Sequence, residues 1–402
     1  MWLYTTAHGV CTLKSAARLE EAVMSSIRWF ADLSLSDVSL VGGKNASLGE
    51  MYKELAVLGV KVPNGFATTA DAYRRYLSTN HLEESIADIV GSIDVRDVRK
   101  LAAGASRIRS LIEHGSIPPD IEDDILRAYR KLSVSHGDVD VAVRSSATAE
   151  DLPEASFAGQ QESDLMVRGG KELLTAVRKA YASLFTARAI SYREDMGFNH
   201  MDVALSVGVQ RMVRSDLACS GVMFTLDTES GFRDLVMINS TWGFGENLVQ
   251  GKVTPDEFYV FKPTLAEGFR PIIRKIIGAK EQTLRFDQFE HRLVDKPTSR
   301  ELRDSITLTD DEVLELARAA LTIEAHYSEI HGRDLAMDIE WAKDGLSDEL
   351  FIVQARPETV HSTAGGELRT YVLQGERSAT LAQGLAVGNQ IAVGKAAVIT
   401  DP

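Results

Sequence analysis

Near residue 200 the hydrophobic periodicity of this 402-residue chain changes. Before that point apolar residues recur at three- and four-residue spacing, as in "KELLTAVRKAYASLFTARAISYRED", the signature of amphipathic helices. After it come "VALSVGVQRMV", "SGVMFTLD" and "DLVMINSTW", short apolar runs divided by polar turns, as expected of one antiparallel sheet. The chain is therefore expected to be α+β, with a helix-rich subdomain over residues 28–205 and a strand-rich one over 206–362. Its length and 44% hydrophobic content suffice for more than one core.

Smaller elements fit this division. "VGGKNASLGEMYKEL" reads as a Gly-Gly turn opening a helix, "VPNGFATT" as a strand and "ADAYRRYL" as a helix. Residues 82–133 are helical on either side of the turn "GSIPPD", and "DVDVAVRSS" alternates as a strand. A helix is expected from Asp310 to about His331. Residues 1–27 form an extension to which no role attaches, and 363–386 read as a linker.

Composition removes several function classes. A formal net charge of -14 repels a polyanion, so nucleic acid is not an expected partner, although a local basic pocket for a small anion is compatible with it. No apolar run reaches 18 residues, and the first residues lack the features of a secretory signal; no membrane span and a cytoplasmic location are expected. Cys11 and Cys219 read as idle thiols rather than a disulfide. A P-loop is excluded because five residues, not four, separate Gly245 from Gly251, and Val253 follows Lys252. The dinucleotide pattern fails at Leu248, where a third glycine is needed after Gly243 and Gly245. Zinc-protease and nucleophile-elbow motifs are missing, and the nine histidines are scattered.

Two distributed constellations remain. In the first, Gly42 and Gly43 would let backbone approach a ligand, and Lys44 stands at a helix start where free N–H groups favour an anion. A plain turn and helix start fits equally well. Arg144 ends a strand whose Val139, Val141 and Val143 face the core, so its guanidinium points the other way, towards a loop bearing Ser145, Ser146, Thr148, Ser156 and Gly159. Such donors suit phosphate oxygens; a salt bridge to Glu150 or Asp151 is the alternative. In the second, "LAMDIEWAKDGLSDELFIVQARPE" reads as a hairpin. Met337, Ile339 and Trp341 share one face, and Asp338 and Glu340 the other, with Glu340 opposite Gln354 or displaced by two. That gathers two carboxylates, an amide and Arg356, a set suited to Mg²⁺ and phosphate, or else to a solvated sheet face. Ile352 falls on the polar face, placed to pack against a base.

"VGGKNASLGEM", "VPNGFATT", "VRSSATAEDLPEASFAGQQES", "GVQRMVRSDLACSGVMFTLDTESG", "WGFGENLVQGKVTPDEF" and "MDIEW…FIVQARPETV" together resemble the N-terminal nucleotide-binding part of phosphoenolpyruvate synthase (pyruvate, water dikinase), from about Asp32 to Glu358. Pyruvate phosphate dikinase and rifampin phosphotransferase share the scheme more loosely. The resemblance implies an ATP-grasp fold, two α+β subdomains holding ATP between them. It implies that Lys44, Arg144 and Arg356 contact phosphates and that Gly159 lies in a covering loop. It further implies that Gln210, Met212 and Val213 border adenine, and that Asp338, Glu340 and Gln354 form the metal and ribose-phosphate edge. ATP and Mg²⁺ are the implied cofactors.

In this family phosphate passes from ATP to a histidine on a swivelling domain and then to pyruvate in a barrel domain. Residues 387–402 resemble the opening strands of the swivelling domain, and the sequence contains no Thr-x-His-Ala-type motif and no barrel. The resemblance therefore implies only the ATP half of the reaction of ATP, pyruvate and water to phosphoenolpyruvate, AMP and phosphate. A nucleotide-binding module without turnover, or the ATP domain of a rifampin-phosphotransferase-like enzyme, are the alternatives.

Overall fold

The computed structural model describes residues 26–133, 137–148, 151–152, 155–156, 163–359 and 394–395. Gly159, Glu150 and almost all of the expected extension, linker and swivelling-domain start lie outside them.

Two antiparallel sheets organise the molecule. The first has five strands in the order Ile27–Trp29, Gly65–Thr68, Leu205–Arg211, Asp140–Ala147, Ser163–Arg168. Helices Ala70–Thr79, Leu82–Ser92, Val98–Glu113, Pro119–Leu132 and Gly170–Ala182 supply most of the rest of its core, where Phe66, Val143, Val207, Tyr76, Ile108, Ile125 and Tyr181 are buried together. Local chemistry sets the helix ends: the Thr69 side chain accepts from the Ala72 amide, and Asp97 accepts from Arg99 and Lys100.

The second sheet has six strands in the order Ile272–Ile276, Asp256–Phe261, Leu235–Trp242, Cys219–Phe224, Met337–Lys343, Leu350–Pro357. The helix Asp310–His331 covers one face; a Thr309–Glu312 capping box opens it and left-handed Gly332 closes it. Residues 30–62 leave the first sheet after Trp29 and return to it at Gly65, and in between Phe30, Val41, Leu48, Met51 and Leu55 pack into the core of the second sheet. Among the described residues no helix is long and apolar enough to cross a membrane.

The three apolar runs expected in one sheet are divided. Leu205–Arg211 pairs with Gly65–Thr68 and Asp140–Ala147 in the first sheet, whereas Cys219–Phe224 and Leu235–Trp242 pair with each other in the second. Alternation reports that a strand is half-buried, and contains nothing about which distant partner it meets.

Candidate functional site

Residues of both sheets line a cleft of ≈ 690 Å³. Asp140–Ala147 places Arg144 there because Val141 and Val143 alternate into the core and turn the even-numbered Ala142 and Arg144 towards the cleft. The strand does not end at Arg144, as the alternation suggested, but continues to Ala147; Ser145 and Ser146 are buried, and Thr148 exchanges hydrogen bonds with Ala204. The hydroxyls expected in a phosphate loop are thus partly spent within the fold.

Among the described residues, Arg144 finds its closest partners across the cleft. Its guanidinium ion-pairs with Glu340, donates to the Val353 carbonyl at 2.9 Å and approaches Ser163 Oγ at 3.4 Å. The two constellations read separately in the sequence are therefore one, joined across the two sheets.

The hairpin has the expected register near the site. Asp338 faces Arg356 and Glu340 faces Gln354, while Met337, Ile339 and Trp341 are buried in the core. Beyond Glu340 the register shifts, so that Trp341 faces Ile352 and Val353 is the extra residue of a bulge. Ile352 is consequently 2% exposed and lies in the core, not on the polar face. Before the bulge even-numbered residues of the return strand point inwards; after it Gln354 and Arg356 turn to the cleft side.

Arg356 donates through Nε and Nη2 to Asp338 Oδ2, at 2.9 and 2.7 Å. Burial pushes the Asp338 carboxyl above its ordinary value, with Arg356 opposing and Glu340 adding to the rise. Glu340 goes the other way: burial works against its charge, yet Arg144, Lys44 and Arg356 together hold its carboxyl below the ordinary range. Two acids on one strand face are thus driven apart by their neighbours.

Lys44 reaches the cleft from the bent helix Val38–Glu50. Gly42 interrupts that helix with φ 74° and ψ 164°, and a new first turn starts at Gly43. Gly42 makes a close approach to Ser146: a Cβ on it would lie 2.3 Å from Ser146 Oγ and 2.5 Å from the Ser146 carbonyl oxygen. Asn45 fixes the contact, donating from its amide to Ser146 Oγ at 3.3 Å and from Nδ2 to Ser206 Oγ at 2.9 Å. The same helix is tied to the other unit by Ser47, which donates to the Ala355 carbonyl at 2.6 Å.

Gln210, Met212 and Val213 line another wall. Gln210 is buried, and the backbone amides of Arg211 and Met212 donate to the carbonyls of Asn64 and Asp140, at 2.8 and 2.9 Å. Met212 packs with Met166, Phe244 and Leu284, which makes this end apolar while Lys44, Arg144 and Arg356 occupy the other. Lys44, Arg144, Gln210, Met212, Val213, Glu340, Gln354 and Arg356 all line the cleft; Asp338 stands behind Arg356.

Phe244 and Glu246 were missed by sequence reasoning about the site. They sit in "WGFGENLVQG", where only failed glycine motifs were visible. Gly243, at φ 83°, brings this loop against the backbone of Leu284, with the Phe244 amide donating to the Leu284 carbonyl at 3.0 Å. An aromatic and an acid bracketed by glycines after a strand was the available signal.

Comparison with known proteins agrees with this geometry. The chain is 50% identical over 380 residues to phosphoenolpyruvate synthase of Escherichia coli (strain K12), covering 93% of this chain and 47% of that protein. It is 48% identical over 382 residues to phosphoenolpyruvate synthase of Aquifex aeolicus (strain VF5), covering 93% and 45%. The probable phosphoenolpyruvate synthase of Methanocaldococcus jannaschii is 42% identical over 339 residues, covering 84% and 27%. The chain spans about half the length, or less, of these curated relatives. A family model described as pyruvate phosphate dikinase, AMP/ATP-binding domain, matches residues 38–371. With an ATP-grasp-like pair of units and a cleft that is cationic at one end and apolar at the other, the chain belongs to the pyruvate phosphate dikinase AMP/ATP-binding domain family.

Proposed function

We propose that the cleft binds Mg-ATP, with the triphosphate against Lys44, Arg144 and Arg356 and the base beside Met212 and Val213. On this reading the chain is the ATP-handling part of a phosphoenolpyruvate-synthase-type phosphotransferase acting in the cytoplasm. The observation that carries it is convergence: Arg144 from the first sheet, Arg356 from the second and Lys44 from the helix that bridges them all reach one cleft.

Phosphoryl transfer asks a protein mainly for positioning and charge neutralisation, so no general base is required here. Glu340 and Asp338 hold the two guanidinium groups in place, so their donors are already ordered where phosphate oxygens would lie. Exchanging a carboxylate for phosphate on an ordered arginine costs less entropy than immobilising a free one. Gln210 closes the inner wall, and Gly159 would belong to a loop that excludes water from above.

Mg²⁺ suits the donor set of Asp338, Glu340 and Gln354, since it commonly takes one or two carboxylates and completes its shell with phosphate and water. Both carboxylates share one face of one strand, with Gln354 directly opposite Glu340. When bound, the ion would neutralise charge on the transferred phosphate and orient its oxygens. The acceptor on this reading is a histidine of a swivelling domain, and pyruvate is reached only through a further barrel domain.

Thermal melting with and without Mg-ATP tests the binding step. Nucleotide at 100 times its dissociation constant should stabilise the fold by about 2.7 kcal/mol. A melt unchanged at millimolar Mg-ATP overturns the reading. Label passing from γ- or β-labelled ATP to a separately supplied histidine domain would test the transfer.

A further inference from the structure

Arg193 is a buried cation that the cleft does not use. It belongs to the helix Ala187–Asp195 and is 0% exposed. Its Nε donates to His200 Nδ1 at 3.1 Å, and the Phe185 ring centroid lies 5.2 Å from its guanidinium carbon. An aromatic face attracts a cation without supplying an oxygen or nitrogen acceptor. Nη1 and Nη2 are buried with no hydrogen-bond partner among the described residues. Glu194, the acid of this hydrogen-bond chain, stands on the far side of the imidazole, 3.3 Å from His200 Nε2. Burial pushes the Arg193 pKa down to about 10, which leaves the group charged at neutral pH.

Tyr73, on the helix Ala70–Thr79, brings a second unpaired donor. Its ring packs edge-on against Tyr181, with centroids 5.1 Å apart, and its hydroxyl is buried without a partner among the described residues. Burial raises the pKa of that hydroxyl, against the pull of the Arg193 charge, so it stays protonated and able to donate. Buried polar groups are nearly always paired, and a buried charge is strongly destabilising unless a counter-charge accompanies it. Three donor atoms from two helices, carrying one positive charge between them, are complementary to a single small anion. Tyr73 also lines a surface hollow of ≈ 340 Å³ with Arg74, Glu83, Glu84, Met201 and Val203. Arg74 is engaged by Asp71 at 2.9 Å, which leaves two exposed glutamates at this approach. They repel a polyanion more than a monoanion.

We propose that Arg193 and Tyr73 form a binding site for one compact monovalent anion of halide size, held by Nη1, Nη2 and the Tyr73 hydroxyl. Neither residue lines the nucleotide cleft, so the site is separate from it and ties the helix Ala187–Asp195 to Ala70–Thr79.

The test uses the full chain without nucleotide, freed of halide in sodium gluconate at fixed ionic strength and about pH 7.5, above the ordinary histidine range. Stepwise replacement of gluconate by chloride or bromide should raise the melting temperature along a saturating curve. Tyr73→Phe keeps the ring and removes one donor; it should need about tenfold more chloride to reach the same fraction of the rise, the size of one hydrogen bond to a charge. In gluconate the same variant should be at least as stable as the natural chain, because it no longer buries an unpaired hydroxyl. Arg193→Met should show no saturating response. The ³⁵Cl line width of chloride reads the site without melting the protein: it should be broader with the natural chain than with Tyr73→Phe, and should narrow when bromide is added. No halide response in the natural chain, the same chloride midpoint in Tyr73→Phe, or an equal rise with sulfate, which would mark a general salt effect, overturns the proposal. If Arg193→Met does not fold, Tyr73→Phe and the line widths decide it.

Discussion

Glu340 shows how context changes what a single charge does. As a residue on a polar sheet face it would contribute little to stability; paired with Arg144 across two sheets, with the two side chains 28% and 19% exposed, it holds a largely enclosed cation. Glu340→Gln should therefore cost about 1–3 kcal/mol in unliganded stability, and weaken Mg-ATP binding by tenfold or more if the residue serves the phosphates or their metal. Urea melts and nucleotide titration read the two effects separately, and an unchanged affinity would limit Glu340 to holding Arg144. A second residue predicts a pH effect far from the cleft. His200 Nδ1 accepts from Arg193 Nε at 3.1 Å, so the ring is neutral in the fold, and Arg193 is fully buried against the Phe185 ring. Burial and the Arg193 cation lower the His200 pKa below its ordinary 6.5, with Glu194 opposing. Between 6.5 and that lower value the unfolded chain binds a proton that the folded chain resists, so acidification through this window lowers stability. His200→Gln, whose amide oxygen can accept from Arg193, should lose less melting temperature than the natural chain between about pH 7.5 and pH 5; parallel curves would remove His200 from the account.

At the scale of elements, the bent helix Val38–Glu50 and the hairpin Met337–Pro357 position the site, and each depends on one backbone irregularity. Gly42 has both a positive φ and a neighbour at 2.3 Å, whereas Gly59, at φ 89°, has nothing within 4 Å of a built Cβ. Gly42→Ala should cost about 2–4 kcal/mol, from backbone strain plus displacement of Ser146, and should weaken nucleotide binding by moving Lys44. Gly59→Ala isolates the backbone contribution, at about 1 kcal/mol; equal losses in the two variants would show that the Ser146 contact is unimportant. The hairpin also shows what the sequence could and could not reveal. The period of two correctly set Met337, Ile339 and Trp341 against Asp338 and Glu340, because one buried face forbids a slip by one, but it left Glu340 opposite Gln354 or two places away, and the structure has the first. The bulge at Val353 was hidden, since "FIV" is apolar at every position and leaves either face available for burial. Arg144 was recognisable as a residue aimed away from the core, but its partner lies 196 positions away on another sheet, beyond the reach of local pattern. The helices over 82–133 and from Asp310 to His331 were legible for the opposite reason, being long, periodic and capped by their own neighbours.

Across the whole molecule, the path of residues 30–62 argues that the two sheets unfold together. The strands Ile27–Trp29 and Gly65–Thr68 are neighbours in the first sheet, yet Phe30, Val41, Leu48, Met51 and Leu55 between them are buried in the core of the second. Asn45 bonds to Ser206 on one side, and Ser47 to Ala355 on the other, so the bent helix is held by both units. If the second core melts, this segment loses its packing and the two strands on either side of it lose their anchor, which couples the two transitions. Leu316→Ala places the perturbation wholly in the second core, where Leu316 is 1% exposed, and should cost about 2–5 kcal/mol. Hydrogen exchange measured across a urea series reads both cores at once: peptides over Leu173–Tyr181 report the first and peptides over Val313–Ile323 the second. Both should lose protection at one midpoint in the natural chain and shift together in Leu316→Ala. A shift confined to the second set would mean that the bent helix detaches without disturbing the first sheet, and that Lys44 is carried by one unit alone.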